Sequence, residues 1–126
     1  MALKYGLVQR GNPRDPNAPK KYYAVNKNTG DVGIRELSAI IAEISTVSEI
    51  DTAAVIEAMI IKVPELIADG KIVRLGDFGS FYVTLKSEGA DSESAFSPNM
   101  IKKLFLRFRP GKLIKNALKS ASFEKA

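Results

Sequence analysis

The stretch VRLGDFGSFYVTLK, residues 73–86, decides the fold that this sequence predicts. It begins with a short apolar segment, turns at Gly76-Asp77, and continues as alternating aromatic and β-branched residues, which is the pattern of a β-hairpin. Phe81, Val83 and Leu85 share one face of the strand, and the residues between them are polar. The stretch therefore predicts a strand with one face turned toward a core.

A second alternating stretch, residues 101–109, is predicted to pair with the first and form a two-stranded ribbon. Leu104, Leu106 and Phe108 share one face, and the positions between them are basic or aromatic. If the apolar faces of both strands pack on helices, the opposite faces form one surface, the ribbon face. Its residues are Ser80, Tyr82, Thr84, Lys86, Lys103, Phe105, Arg107 and Arg109. Cations and hydroxyl groups together suit a phosphate backbone, although a half-exposed strand also carries polar residues outward.

Two helices are predicted upstream of the ribbon. In the first, apolar residues recur at i, i+3, i+4 and i+7: Leu37, Ile40, Ile41 and Ile44. Ser48, followed three residues later by Asp51, predicts the N-cap of the second helix. The second helix is expected to end at Asp69-Gly70 and to bend at Pro64, which cannot donate a backbone hydrogen bond.

The second helix also predicts how the chain assembles. Its apolar residues spread over roughly 140° of the helix surface: Val55, Ile56, Met59, Ile60, Val63, Leu66 and Ile67. A domain this small has little else to cover so broad a surface, so the pattern predicts a homodimer with this helix at its centre. The alternative is that the sheet and the N-terminal hairpin cover it.

The rest of the chain predicts an extension, a loop and a closing helix. Residues 1–31 contain two short alternating stretches around a turn-rich segment, so they are expected to form a β-hairpin extension to a domain over residues 32–122. Residues 87–97 are polar and without a period, which predicts a loop. Ser97-Pro98-Asn99 predicts a single helical turn, and residues 113–118 a short closing helix.

Composition excludes several classes of protein. The chain has 126 residues, with no cysteine and no histidine. Disulfide frameworks, zinc enzymes and Ser-His-Asp hydrolases therefore cannot be built from it. No stretch approaches the roughly 20 apolar residues of a membrane helix, and the first ten residues lack a signal-peptide core. These features predict an intracellular protein that is not an enzyme, needs no cofactor or metal, and does not associate with membranes.

The formal charge of +5 is distributed unevenly. Residues 1–31 carry +4, residues 32–70 carry −5, and residues 71–126 carry +6. Between Ile101 and Lys119 there are seven basic residues and no acidic one. A basic part beside an acidic part is typical of a polyanion binder whose other surface faces water or a partner.

The sequence resembles the bacterial histone-like HU/IHF family. The resemblance rests on VRLGDFGSF, residues 73–81, and on Phe108-Arg109-Pro110-Gly111-Lys112, which closes the ribbon. It covers residues 32 to about 119. The N-terminal hairpin lies outside it and looks like that of the extended HU-like proteins of Bacteroides-type bacteria.

The resemblance implies an HU/IHF-like α+β fold and an intertwined dimer whose ribbons clasp and bend duplex DNA through the minor groove. It also implies a cytoplasmic location at the nucleoid. By matching position, Gly79 and Ser80 would contact phosphates at the ribbon base, and Arg109, Lys112 and Lys115 would contact the DNA backbone beside the closing helix. Together with three further cations of the ribbon face, the predicted DNA-binding set is Gly79, Ser80, Lys86, Lys103, Arg107, Arg109, Lys112 and Lys115.

One segment departs from the family's pattern. The family's arms are rich in arginine and carry an Arg-Asn-Pro tip whose proline wedges between base pairs. Residues 86–97 contain one basic residue, three acidic ones and no Asn-Pro, while Pro98 precedes an asparagine. Since acidic residues are repelled by phosphate, this departure predicts DNA binding without strong kinking by intercalation.

Two functions remain open at this point. The first is a histone-like protein that binds duplex DNA through its backbone with little sequence preference, because no Asn or Gln alternates along either ribbon strand to read bases. The second is an HU-like scaffold for protein interaction or assembly, with Tyr82 and Phe105 as an exposed contact patch.

Overall fold

A computed structural model describes all residues, 1–126, as three helices and two three-stranded sheets. In chain order the elements are β1 (Ala2–Arg10), β2 (Lys21–Lys27), α1 (Ile34–Glu43), α2 (Glu49–Ala68), β3 (Val73–Arg74), β4 (Gly79–Ser87), β5 (Ile101–Pro110), α3 (Lys112–Lys119) and β6 (Ser122–Lys125). The chain divides into two units. One comprises Met1–Gly33 with Ala117–Ala126, and the other comprises Ile34–Asn116.

The first unit is a sheet with the strand order β2-β1-β6. β1 and β2 form the antiparallel pair that the sequence predicts, with Arg10 opposite Lys21 and Lys4 opposite Lys27. β6 pairs in parallel with the first half of β1, and the Ser122 backbone N–H donates to the Met1 carbonyl at 3.0 Å. The pattern of residues 122–125 does not predict this strand, because the strand exists only by pairing with residues at the other end of the sequence.

The second of the two predicted helices, α2, begins and ends where the sequence predicts. The Ser48 hydroxyl accepts a hydrogen bond from the Asp51 backbone N–H at 3.1 Å, which confirms the N-cap of α2. The helix ends at Ala68, and Gly70 follows with a φ of 84°, a conformation that favours glycine. Pro64 lies inside the helix.

α1 and α2 pack on each other, and each carries one buried hydroxyl side chain. Ser38 of α1 and Thr52 of α2 are the two least exposed polar residues of the chain. Each hydroxyl donates to a carbonyl one turn earlier in its own helix, Ser38 to Ile34 and Thr52 to Ser48, both at 2.7 Å. Because these hydroxyls donate to carbonyls of their own helices, both can be buried without leaving an unpaired polar atom.

The second sheet has the order β3-β4-β5, with both pairs antiparallel. Phe81 lies opposite Phe108, Val83 opposite Leu106, and Leu85 opposite Leu104. The register therefore places the apolar residues of both long strands on one side of the ribbon, as predicted. The polar loop expected at residues 87–97 is also confirmed from Glu88 on, with a 3₁₀ turn at Pro98–Met100 before β5 begins.

Within the single chain, the helices leave the apolar side of the ribbon uncovered for most of its length, and its burial in a dimer stays a prediction. Leu85, Leu104 and Leu106 are 61%, 63% and 64% exposed. No apolar side chain in the chain is fully buried, and the accessible surface is 10656 Å². A folded monomer of 13.7 kDa usually exposes about 6,600 Å². The single chain therefore exposes surface that a folded protein of this size normally buries in its core.

Two glycines allow close backbone contacts at the base of the ribbon, where β5 ends and α3 begins. A Cβ atom on Gly79, whose φ is 145°, would lie 2.6 Å from the Arg109 carbonyl oxygen. A Cβ atom on Gly111 would lie 2.2 Å from the Asp77 carbonyl oxygen. Both positions are therefore closed to any other residue without a shift of backbone.

We expect Gly111→Ala to lower the free energy of unfolding by more than about 2 kcal/mol, because the added methyl group collides with main-chain atoms that cannot rotate away. Gly33→Ala is the matched control, since a Cβ there meets no atom within 4 Å. Chemical denaturation of both variants measures the difference. Equal stability of the two would contradict the packing described at the ribbon base.

Candidate nucleic-acid interface

The ribbon face is one continuous surface in the structure. The strand register places Ser80 opposite Arg109 and Tyr82 opposite Arg107. Farther from the base, Thr84 lies opposite Phe105, and Lys86 lies opposite Lys103. All eight predicted residues of the ribbon face thus lie on the same side of the sheet, which confirms the two-faced pattern of the sequence.

Aromatic rings position the cations of this surface. The Arg107 guanidinium carbon lies 5.2 Å and the Lys103 ammonium nitrogen 5.0 Å from the centre of the Phe105 ring. The Arg109 guanidinium carbon lies 5.5 Å from the centre of the Tyr82 ring. Cation–π contacts at exposed sites are each worth about 0.5–1 kcal/mol, so these side chains are partly ordered before any ligand arrives.

Thr84, which the sequence places on the ribbon face but not in the predicted DNA-binding set, is a positioning residue. Its hydroxyl oxygen accepts a hydrogen bond from Nε of Arg107 at 3.2 Å. Thr84 and Arg107 are diagonal neighbours across the two strands, a relation that follows only once the register is known. The bond fixes the arginine while leaving its terminal nitrogens free to donate.

The positive charge of the interface is not neutralised within the chain. Neither β4 nor β5 contains an acidic residue. No salt bridge involves any of the six predicted DNA-binding cations, which are Lys86, Lys103, Arg107, Arg109, Lys112 and Lys115. By contrast, Lys102 at the far end of the ribbon pairs with Glu88 at 3.2 Å. The surface therefore presents six cations whose charge remains available to an external anion.

Gly79 and Ser80, the two small residues of the predicted DNA-binding set, lie at the ribbon base. Ser80 is half-buried beside Arg109, and Gly79 is buried under β5. The close approach of the Phe108 ring, 2.7 Å from a Cβ atom placed on Gly79, accounts for that glycine by packing alone. Phosphate contact by Gly79 or Ser80 stays a prediction.

The start of α3 adds a second row of cations. Lys112 and Lys115 lie one helical turn apart and are exposed, with Lys119 one further turn along. A cation in the first turn of a helix is unfavourable with the helix dipole, and a bound anion would relieve that repulsion. The arrangement can therefore hold phosphate oxygens beside the ribbon base.

The contact patch of the alternative function is not formed as predicted. Tyr82 and Phe105 are half-buried, not exposed, because the cations lie over their rings. A protein partner would meet arginine and lysine side chains first. This geometry favours an anionic partner over an apolar one.

No helix of the structure is both long enough and apolar enough to cross a membrane.

Among solved structures, the chain is similar to a protein from Bacteroides vulgatus that is named as a candidate bacterial DNA-binding protein, with 19% sequence identity and a TM-score of 0.63. The match covers 98% of this chain and 47% of the other, so this chain spans about half the length of that protein. No curated protein matches the chain.

A family model described as "HU domain fused to wHTH, Ig, or Glycine-rich motif" matches residues 1–125. The match includes the N-terminal strands, whereas the sequence motifs cover only residues 32 to about 119. The resemblance inferred from VRLGDFGSF and the closing Phe108-Arg109-Pro110-Gly111-Lys112 is thereby confirmed, and the chain belongs to this family of fused HU domains.

Proposed function

We propose that this chain is a histone-like, nucleoid-associated protein that binds duplex DNA through backbone contacts and acts as a homodimer. The observation that carries the proposal is the set of six unpaired cations on the ribbon face and at the start of α3, with no acidic residue on either ribbon strand. Such a surface releases counterions when it binds a polyanion, which drives association without catalysis or a cofactor.

The absence of Asn and Gln from the ribbon face supports low sequence specificity. Base reading in the grooves commonly uses Asn or Gln bonded to adenine, and neither residue occurs on β4 or β5. Arginine and lysine contacts to phosphate carry no sequence information by themselves. The protein would therefore bind by duplex shape and charge.

The far end of the ribbon supports binding without a wedge. Residues 88–97 carry Glu88, Asp91 and Glu93, and Glu88 neutralises Lys102. A phosphate backbone would be repelled from this end and attracted to the base, where Arg107, Arg109 and Lys112 lie. The contacts proposed for DNA are therefore concentrated at the ribbon base.

A second copy of the chain would cover the surface that remains apolar. A hollow of about 320 Å³ lies between α2 and the ribbon base, lined by Met59, Val63, Ile67, Phe81 and Leu106. The exposed leucines of the ribbon continue from it. Because a single chain leaves this surface in water, a partner that contributes matching apolar side chains would complete a core.

Affinity for straight, nicked and single-stranded DNA at about 50 and 200 mM salt tests the function. We expect a loss of about a thousandfold or more in duplex affinity between these salt concentrations, since six or more phosphate contacts are proposed. Straight and nicked duplexes should bind with similar affinity, because no wedge requires a flexible site. Absence of duplex binding at the lower salt concentration would refute the proposal.

A further inference from the structure

The N-terminal sheet carries a second group of cations, which lie together on one of its faces. The register of β1 and β2 places Arg10 opposite Lys21, Val8 opposite Tyr23, and Lys4 opposite Lys27. Because alternate residues share a face, Arg10, Lys21, Tyr23 and Lys27 form one surface, the basic sheet face. The Arg10 guanidinium carbon lies 6.0 Å from the centre of the Tyr23 ring.

Gly6 provides the space in which Lys27 lies across the sheet. A Cβ atom placed on Gly6 would be 2.6 Å from Cε and 3.4 Å from Cγ of Lys27. The aliphatic part of Lys27 therefore rests on the backbone of the neighbouring strand, where a larger residue would displace it. This contact places Lys27 on the same face as Arg10.

Most of the charge on this face has no partner within the chain. Lys4 pairs with Glu124 of β6 at 2.9 Å, whereas no salt bridge involves Arg10, Lys21 or Lys27. All three unpaired residues are exposed. Directly opposed like charges, such as Arg10 with Lys21, destabilise an antiparallel strand pair. An external polyanion would remove that repulsion.

One end of the face is concave. A hollow of about 360 Å³ is lined by Arg10, Asn12, Pro13, Pro19, Lys21 and Tyr23. At the other end of the face, Lys27 lies beside the Lys4–Glu124 pair. Lys4 is six residues from Arg10 along β1. At about 3.4 Å per residue the two ends are about 20 Å apart, which is about six base-pair steps along the axis of a duplex at about 3.4 Å each.

We propose that the basic sheet face is a second nucleic-acid-binding surface, which contacts the phosphate backbone separately from the ribbon face. The inference extends the proposed function to a part of the chain that the ribbon does not include. The separation of its cations fits a polynucleotide better than a small phosphate compound. Tyr23, 47% exposed between the cations, offers a ring on which a sugar or an unpaired base can pack.

Affinity measurements on the full chain test this surface, with the double variant Lys21→Gln/Lys27→Gln and the charge-reversed Lys21→Glu/Lys27→Glu. The matched control is Arg35→Glu/Lys62→Glu, which makes the same change in charge as the reversed pair at exposed helix positions. A duplex and a single strand of equal length serve as probes. Circular dichroism establishes that each variant is folded.

We expect the Gln variant to weaken binding several-fold. It should also reduce the slope of log affinity against log salt by about 1.8 for a duplex, since each lost phosphate contact contributes about 0.9. The Glu variant should weaken binding further, and the control should differ little from the wild type. If the Lys21/Lys27 variants lose affinity only for the single-stranded probe, the result would also support the inference and assign the surface to unpaired nucleic acid.

Of the following four results, three would overturn the inference and one would support it against the ribbon proposal. Wild-type affinity and slope in both Lys21/Lys27 variants would exclude the basic sheet face and leave the ribbon proposal intact. Binding that is lost in these variants and unchanged in Arg107→Glu/Arg109→Glu would support the sheet and exclude the ribbon. A wild-type chain that binds no nucleic acid would exclude both. Displacement of DNA by polyglutamate of equal charge would show a surface that takes any polyanion, contrary to the inference.

Discussion

Replacing Arg107 and Arg109 with glutamate is expected to lower duplex affinity at least about a hundredfold, or about 2.7 kcal/mol. Each substitution removes a cation that is ordered over an aromatic ring and places a negative charge at the proposed phosphate position. Neither arginine has an acidic partner within the chain. The loss should therefore appear in binding and much less in stability, as measured by fluorescence anisotropy and by thermal melting.

The control for this experiment is again Arg35→Glu/Lys62→Glu. Lys62 pairs with Glu65 on the surface of α2 at 3.1 Å, and exposed pairs of this kind contribute roughly 0–1 kcal/mol. The control changes the total charge as much as Arg107→Glu/Arg109→Glu does. Equal losses from the two variants would mean that net charge, and not the ribbon face, governs binding.

Leu106→Glu is expected to lower the free energy of unfolding by at least about 3 kcal/mol and to abolish dimerisation. Leu106 is 64% exposed in the single chain and lines the apolar hollow at the ribbon base. In a lone chain such an exposed substitution would change stability by no more than about 0.5 kcal/mol. A large effect therefore requires that a second chain buries this side chain, where a carboxylate would be desolvated.

Ile61→Glu provides the comparison, because Ile61 is 58% exposed and lies outside the apolar band of α2. Sedimentation equilibrium and denaturation at two protein concentrations measure assembly and stability together. We expect the wild type and Ile61→Glu to be dimers whose melting temperature rises with concentration. A monomeric wild type, or identical behaviour of both variants, would refute the proposed assembly.

The ribbon could be predicted from sequence because its two faces differ chemically. Phe81, Val83 and Leu85 alternate with polar residues, and a period of two admits only one assignment of faces. The start of α2 could be predicted as well, since a serine at the N-cap accepts a hydrogen bond from one of the free backbone donors of the helix. These features depend on neighbours in sequence, so the sequence contains them.

Features that depend on residues distant in sequence could not be predicted from local sequence patterns. β6 contains four residues with no distinctive pattern, and only its pairing with Ala2–Tyr5 makes it a strand. The charge of residues 1–31 is visible in the sequence, but its grouping on the basic sheet face is not, because the cations come from two strands whose register the sequence does not give. The exposure of Leu85 and Leu104 escapes as well, since the alternation of a strand assigns residues to faces without showing what covers each face.

The parallel pairing of β1 with β6 affects how the chain folds while it is being synthesised. Ser122 is hydrogen-bonded to Met1 across a separation of 121 residues, whereas the partners in the β4–β5 ribbon are close in sequence. Contacts between distant residues form late, because the closure of a long loop must precede them. On the ribosome, residues 2–5 remain without their neighbour on that edge of the sheet until residues 122–125 emerge. Until then the backbone donors and acceptors on that edge of the nascent chain stay open to wrong partners.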